Sequence, residues 1–356
     1  MLNTRLTELL GCKYPVVQTA MGWVADPKLV AATGNAGGFG FLAGATIPPE
    51  EIERDIVAIK ALSDAPFGVN FHMYQPNAAD IVELVISHGV RAVSYSRSPG
   101  PALIGRLKDA GIICMPTVGL PKHAIKAVEL GADVVTVQGG EGGGHTGAIP
   151  TTLLIPQVIE AVGEQVPVVA AGGFKDGRGL VAALAWGADG IAMGTRFLLT
   201  SDSPVPGPTL ERYLACKDPG VIIRSTAMDG LPQRMIMNEI LAELERAGPL
   251  KKLLLAIRNG LAFRKHTGAS LTGLLKSAIA MQREDGLSPA QAIMSANAPM
   301  IIQKAMVDGD PGHGVLPSGQ VAGVIDELLS CEELISQIVS EAEQRLGALA
   351  ARARQE

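Results

Sequence analysis

Short apolar, β-branched runs recur along the chain at residues 16–18, 39–43, 67–71, 92–96, 113–118, 134–138, 166–171 and 190–197. Most begin 21 to 28 residues after the run before, with a longer gap before the seventh. Runs that do not alternate with polar residues suit strands buried on both faces of a parallel sheet. Helix-like segments fill the intervals. Several enter the next strand through one pattern, a helix end, a glycine and a short turn: His88-Gly89-Val90-Arg91, Asp109-Ala110-Gly111, Leu130-Gly131-Ala132-Asp133 and Trp186-Gly187-Ala188-Asp189. Glycine there fits the left-handed position that ends a helix. Eight strand–helix repeats in about 200 residues predict an α/β fold, a (β/α)8 TIM barrel. A doubly wound open sheet is the alternative. Against it, no G-x-G-x-x-G follows the first strand, and Gly34-Asn35-Ala36-Gly37-Gly38 falls at a helix end instead.

After Phe197 the pattern changes. Residues 201–209 hold Pro204, Pro206 and Pro208 and read as a linker. From about Thr209 to Asp310 the sequence reads as helical with no strand repeat, most clearly at 251–265 and 271–283. It predicts a helical lobe inserted beside the barrel mouth. The chain then crosses a Gly/Pro loop, 312–320, into a last amphipathic helix. Leu334, Ile335, Ile338, Val339, Ala342 and Leu346 share one of its faces, which is expected to pack on the barrel wall. The divisions are 1–205 for the barrel, 206–310 for the insert at the substrate entrance, and 311–356 for the returning loop and helix.

Composition narrows the function. The net charge is −5 and no Lys/Arg stripe dominates, which argues against nucleic acid. With 42 glycines in 356 residues, the chain is rich in the residue that lets backbone approach a ligand. Cys12, Cys114, Cys216 and Cys331 are far apart, without CxxC or zinc spacing, and read as buried reduced thiols of a cytoplasmic protein. No apolar run is long enough to span a membrane, and residues 1–10 do not resemble a secretory signal.

In a barrel of this kind, reacting groups lie at the C-terminal ends of the strands. The seventh strand runs into Gly172-Gly173 and the eighth contains Gly194-Thr195, the usual phosphate position of such barrels. The sixth leads into Gly139-Gly140-Glu141-Gly142-Gly143-Gly144-His145-Thr146-Gly147. From this loop of little side-chain bulk one imidazole projects, His145, able to move a proton near neutral pH. Glu141 beside it reads as a solvated carboxylate or a further candidate. Asn70, after the third strand, suits the polar edge of a heterocycle. His72 is a second candidate base, whereas His88 and His123 fall in helices away from the mouth. Thr19-Ala20-Met21-Gly22-Trp23 offers small residues against a flat ring. No HExxH, DxDxD or G-x-S-x-G is present, and metal catalysis is not expected.

Together these segments resemble the nitronate monooxygenase (2-nitropropane dioxygenase) family of FMN-dependent barrels, whose superfamily also holds flavin-dependent enoyl-acyl-carrier-protein reductases and NADH:quinone reductases. The motifs are Gln18-Thr19-Ala20-Met21-Gly22, Gly68-Val69-Asn70, Glu141 to Gly147, Ala171-Gly172-Gly173-Phe174, Met193-Gly194-Thr195-Arg196-Phe197 and Ser318-Gly319-Gln320. The resemblance implies that Ala20, Met21 and Gly22 line a flavin ring. Asn70 and Gln138 would bond its polar edge or ribityl chain, and Thr117 and Gly143 are also assigned to the cofactor. Gly172, Gly173, Gly194 and Thr195 would hold the FMN phosphate, with Gln320 near phosphate or ring and His145 as the proton-transfer residue. One departure is the segment Met115-Pro116-Thr117-Val118, which lacks the lysine of the quinone reductases and is closer to the enoyl-reductase pattern. The long insert is similar to that of bacterial members that reduce CoA-thioester enones in steroid-ring breakdown. Its Arg224, Arg234, Lys251, Lys252, Arg258, Arg264 and Lys265 could meet a CoA phosphate or simply form a solvated face.

The first functional expectation is therefore oxidation of nitronates or nitroalkanes by FMN and O2. The alternative on the same scaffold is reduction of an α,β-unsaturated CoA thioester, with NAD(P)H as electron donor, or of a quinone. A flavin-binding subunit without turnover fits less well, since binding alone does not need His145. A flavin-free sugar-phosphate isomerase is a further alternative. The expected partner is a small-molecule substrate, with no nucleic acid and no membrane, and a homodimer is left open.

Overall fold

The computed structural model of the chain describes residues 2–45, 47–72, 78–96, 100–248, 254–259, 291, 294 and 297–354. The barrel and its helices run α1 (Arg5–Leu10), β1 (Val16–Gln18), α2 (Pro27–Asn35), β2 (Phe39–Ala43), α3 (Pro49–Leu62), β3 (Gly68–Asn70), α4 (Ala78–Ser87), β4 (Ala92–Ser96), α5 (Pro101–Asp109), β5 (Ile113–Val118), α6 (Pro121–Glu129) and β6 (Val135–Gln138). A two-residue strand β7 (Gly144–His145) follows, then α7 (Thr151–Val162), β8 (Val168–Ala171), α8 (Gly177–Ala185), β9 (Gly190–Met193) and α9 (Thr195–Leu198). Strands β1–β6, β8 and β9 close a parallel barrel in that order, with β1 pairing β9 through Val16↔Ile191 and Gln18↔Met193. This is the (β/α)8 barrel that the apolar repeat predicts.

The barrel strands lie within two residues of their predicted starts, but the eighth is shorter. It ends at Met193, and Thr195, Arg196 and Phe197 turn into α9 with Gly194 as its cap residue. The glycines expected to end helices do so: Gly89, Gly111, Gly131 and Gly187 all have positive φ. Inside the barrel, Val17, Phe39, Phe41, Ala92, Ile113, Met115, Val169 and Ala192 pack together. Leu6 and Leu10 of α1 join the same cluster, so that helix plugs one end. The outward faces pack under the surrounding helices.

The rest of the described chain adds α10 (Gly207–Leu214), β10 (Ile222–Ser225), β11 (Gln233–Ile236), α11 (Glu239–Arg246), α12 (Asn297–Met306), β12 (Leu316–Pro317) and α13 (Cys331–Ala353). The lobe expected to be helical thus contains an antiparallel hairpin. Ile222↔Ile236 and Arg224↔Arg234 pair across it. Its strands alternate at period two, Met235 and Ile223 facing the lobe's own core while Ile222 and Ile236 join the barrel's outer core. The edge of β11 away from β10 holds both β12 and β7, which ties the lobe to the loop after β6. The predicted linker is also built in. Ser203, Val205 and Thr209 are buried, and Thr209 Oγ1 donates to the Ala305 carbonyl at 2.6 Å. Residues 254–259 are helical, while the remainder of 251–265 and all of 271–283 lie outside the described residues. Helix α13 buries Leu334, Ile335, Ile338, Val339 and Ala342 as predicted, and packs against α8 and α2. Cys114, Cys216 and Cys331 are buried free thiols and Cys12 is half-buried. No helix among the described residues is long and apolar enough to cross a membrane.

Candidate active site

Strand alternation puts Asn70, Thr117 and Gln138 on the inward side at the C-terminal ends of β3, β5 and β6, in line with Gly68 and Met115 below them. Each is half-buried, at the rim of the barrel mouth. Asn70 Nδ2 donates to the Ser94 carbonyl and to Ser94 Oγ, both at 3.0 Å, which fixes the amide and leaves Oδ1 as its acceptor. Gln138 Nε2 donates to the His145 carbonyl at 3.0 Å and anchors the glycine loop to the rim. After β1 the chain turns sharply, with Val24 and Ala25 both donating to the Met21 carbonyl at 3.0 and 2.9 Å. Trp23, at φ 62, has the one positive φ of a non-glycine residue among the described positions. A bulky residue held there is a strained conformation of the kind found at ligand sites.

The opposite rim is glycine. Gly172 and Gly173 have φ 102 and 84. A Cβ on Gly173 would meet nothing nearer than Glu141 Cβ at 3.4 Å, so its backbone conformation, and not crowding, calls for glycine. Beyond Gly194, the first-turn N–H groups of α9 have no carbonyl ahead of them within the helix. Loop 318–320 closes on this rim: the Gly319 N–H donates to Thr195 Oγ1 at 2.9 Å and the Gln320 N–H to the Glu141 carbonyl at 3.0 Å. Small neutral side chains on one side and side-chain-free amide turns on the other fit a flat polar ring with a phosphate tail. Gly143 has a different reason for its composition, since a Cβ there would lie 2.5 Å from the Gly319 nitrogen. Glu141 is half-buried and has a structural partner. Its carboxylate accepts from the Thr151 N–H at 2.8 Å and from the Thr151 hydroxyl, capping α7, whose N-cap residue Pro150 offers no side-chain bond.

His145 is exposed and is met by two residues that its surrounding sequence does not reveal. Its Nε2 lies 2.9 Å from Asp229 Oδ2, and Gln233, paired with His145 across β7 and β11, donates its side-chain amide to the same oxygen. The N–H of Leu231 donates to Asp229 Oδ1 at 3.0 Å. Asp229 and Gln233 are each 2% exposed. Gln233 Nε2 also lies 3.0 Å from His145 Nε2; in the tautomer whose Nε2–H is directed at the carboxylate, Nδ1 is the nitrogen left to take or give a proton. The one sequence signal near them was the Asp229-Gly230 dipeptide between two short apolar runs, a turn pattern that does not by itself point to His145. His72 is exposed, with Ser96 Oγ 3.4 Å from its Nδ1. His88 meets Glu53 at the end of α4 and His123 lies exposed on α6. Of the basic residues of the insert, Arg234 donates to the Gly140 and Ile222 carbonyls, and burial pushes its guanidinium below the ordinary range. Arg224 and Arg258 are exposed, and Lys251, Lys252, Arg264 and Lys265 lie outside the described residues. Among the described residues no group of His, Cys, Asp and Glu could hold a metal ion.

Comparison with known proteins gives a consistent picture. The sequence model of the family described as nitronate monooxygenase matches residues 3–341. A Mycobacterium tuberculosis protein named (3aS,4S,5R,7aS)-5-hydroxy-7a-methyl-1-oxo-octahydro-1H-indene-4-carboxyl-CoA dehydrogenase is 48% identical over 342 residues, 96% of each chain. A probable nitronate monooxygenase of Staphylococcus saprophyticus is 32% identical, over 68% of this chain and 81% of its own. Among solved structures, FabK from Thermotoga maritima superposes with a TM-score of 0.79 at 28% identity, covering 99% of this chain and 100% of that one.

Proposed function

The chain belongs to the nitronate monooxygenase family of flavin-dependent oxidoreductases, and we propose that it holds FMN at the barrel mouth and acts on an acyl-CoA thioester at the two carbons beside the thioester carbonyl. The observation that carries this reading is the His145–Asp229 dyad, assembled between the barrel loop and the inserted lobe. It belongs to a chain 48% identical over nearly its full length to a dehydrogenase named for a carboxyl-CoA substrate. The α-hydrogen of a thioester is weakly acidic, and an oriented imidazole is the group such chemistry needs.

Asn70, Thr117 and Gln138 would bond the polar edge of the flavin, Ala20, Met21 and Gly22 would lie along the ring, and Gly172, Gly173, Gly194 and Thr195 would take the phosphate, with Gln320 closing over that end. When bound, the flavin supplies or accepts hydride. His145 Nδ1 takes the α-proton in dehydrogenation and returns it in reduction, while Asp229 and Gln233 hold the ring. A nicotinamide nucleotide is the proposed redox partner of the flavin.

A second reading, oxidation of a nitronate with O2, is favoured by the family match. One experiment separates the two. Under anaerobic conditions the purified yellow protein is mixed with saturated acyl-CoA thioesters, CoA enones after NADH or NADPH, nitroalkanes and a nitronate, and the visible flavin absorbance is followed. Bleaching by an acyl-CoA, or reoxidation by a CoA enone, supports the proposal. Response to nitronates alone replaces it with the second reading.

A further inference from the structure

The turn that carries Asp229 is held on both sides by the same part of the lobe. Asn297, at the start of α12, donates its Nδ2 to the Met228 carbonyl at 3.2 Å. Gln291 donates its Nε2 to the Gly230 carbonyl at 3.0 Å. One bond thus fixes the Met228–Asp229 peptide and the other the Gly230–Leu231 peptide, whose own N–H donates to Asp229 Oδ1. Gly230, at φ 83, lies so close that a Cβ there would come within 2.7 Å of Gln291 Cγ. Asn297 is fully buried, and its Oδ1 accepts from Asn259 Nδ2 at 2.9 Å, with Asn259 itself 9% exposed.

Two buried amides are a costly way to fill the apolar core formed by Met228, Leu241, Leu244, Ala298 and Ile301. An apolar pair would fill the volume without that desolvation. What it would not supply is a directional bond to a peptide next to Asp229. We propose that Asn297 is a positioning residue for the dyad: through the Met228 carbonyl it sets where the Asp229 carboxylate meets His145 Nε2, and Gln291 sets it from the other side. The inserted lobe is then part of the proton-transfer apparatus as well as a wall of the entrance. The inference rests on the proposed role of His145, and a shift of about 1 Å in such a group is enough to cost a large factor in rate.

The test uses the flavin-loaded protein labelled with ¹⁵N-histidine, the His145 signals being those lost in His145→Gln. The wild type is expected to show His145 protonated at Nε2. Asn297→Ala is expected to mix the two tautomers and to lower kcat about 10- to 100-fold, up to the loss that a misplacement of about 1 Å causes. KM should stay within about threefold, because the lost contact does not touch substrate. Leu244→Ala, a cavity in the same core without a bond to the turn, is expected to lower the melting temperature and leave the tautomer unchanged. A wild-type tautomer in Asn297→Ala, or an equal disturbance in Leu244→Ala, overturns the proposal. If Asn297→Ala does not fold, Gln291→Ala carries the same test, its tautomer shift supporting the proposal and an unchanged signal overturning it. The tautomer is read without substrate, so a wrong substrate class would silence the kinetics and leave this result standing.

Discussion

The His145 imidazole and the Asp229 carboxylate sit 2.9 Å apart, with the His145 side chain 58% exposed and that of Asp229 2% exposed. The carboxylate is sealed under the lobe and the ring reaches out from it, the arrangement of an orienting group behind a proton carrier. General acid–base catalysis contributes about 10²–10⁴-fold, so His145→Ala should lose turnover of a CoA thioester by that factor while keeping flavin and fold. Asp229→Asn should approach the same loss, because the amide can present a donor to Nε2 and favour the wrong tautomer. A nitronate arrives already deprotonated, so its oxidation should suffer less than that of the parent nitroalkane. Steady-state rates on the three substrate types check this. Turnover of all three by His145→Ala within about threefold of wild type, below the acid–base range, would make His145 structural and return His72 to candidacy.

The glycine rim gives a prediction about cofactor content. A side chain on Gly173 would rest on Glu141 Cβ at 3.4 Å beside the turn, and one on Gly194 meets Thr19 Oγ1 at 3.0 Å and Met21 Sδ at 3.4 Å. Gly173→Val should cost at least about 1–2 kcal/mol from the left-handed backbone alone and fill the space proposed for phosphate. Gly194→Val should disturb the Thr19–Met21 turn, where the ring is proposed to lie. Both variants should purify with a much reduced flavin-to-protein ratio and near-native far-UV circular dichroism. A full flavin complement in both would sink the phosphate assignment.

How far these features could be read from sequence follows from the range of each interaction. The barrel strands were legible because each is a local β-branched run buried on both faces, and the closing glycines because a left-handed residue is a local requirement. Asp229 was not, since it meets His145 across 84 residues of chain. The hairpin was hidden because its apolar pairs Ile222–Ile223 and Met235–Ile236 are too short to show a period, and Arg224 and Arg234 read as helix surface. The structural partner of Glu141 was hidden because Thr151 begins a helix on the far side of the glycine loop. Asp133 and Asp189 close the two Gly-Ala-Asp turns, where the glycine was legible and the aspartate's task was not. Each accepts the N–H of a residue in a neighbouring strand, Cys114 at 2.9 Å and Val168 at 3.0 Å.

The thiols should be inert in the native protein. Burial pushes Cys12 and Cys114 up to about 11 and Cys331 up to about 12, and it raises Cys216 as well. The reactive form is the thiolate, so raising the pKa removes it at neutral pH, and for a pKa of about 11 only about one thiol in a thousand is ionised at pH 8. Titration with a chromogenic disulfide at that pH should be slow and become rapid for all four cysteines in denaturant. Fast stoichiometric reaction of a native cysteine would show that its surroundings are open.

The last prediction concerns the plugged end of the barrel. Arg5 on α1 makes a two-pronged ion pair with Asp189, Nε to Oδ1 at 2.9 Å and a terminal nitrogen to Oδ2 at 2.8 Å. The same Oδ2 accepts the Val168 N–H, and the Asp189 carbonyl accepts from Thr4 Oγ1 at 2.7 Å. The partners are unequal in exposure, 47% for the Arg5 side chain and 9% for Asp189. Removing Arg5 exchanges one half-exposed, solvent-screened pair for water, so Arg5→Ala should cost about 1 kcal/mol or less, part of it lost packing. Removing Asp189 strands the buried Val168 N–H, and Asp189→Ala should cost about 1–3 kcal/mol on top of the lost pair. Asp189→Asn should fall between, since an amide oxygen can still accept from Val168. Urea unfolding of the three variants at low and high salt measures this ordering, and the Arg5 effect should shrink with salt while the Asp189 effect persists. Equal costs for Arg5→Ala and Asp189→Ala would mean that the ion pair, and not the strand-edge acceptor, holds the plug in place.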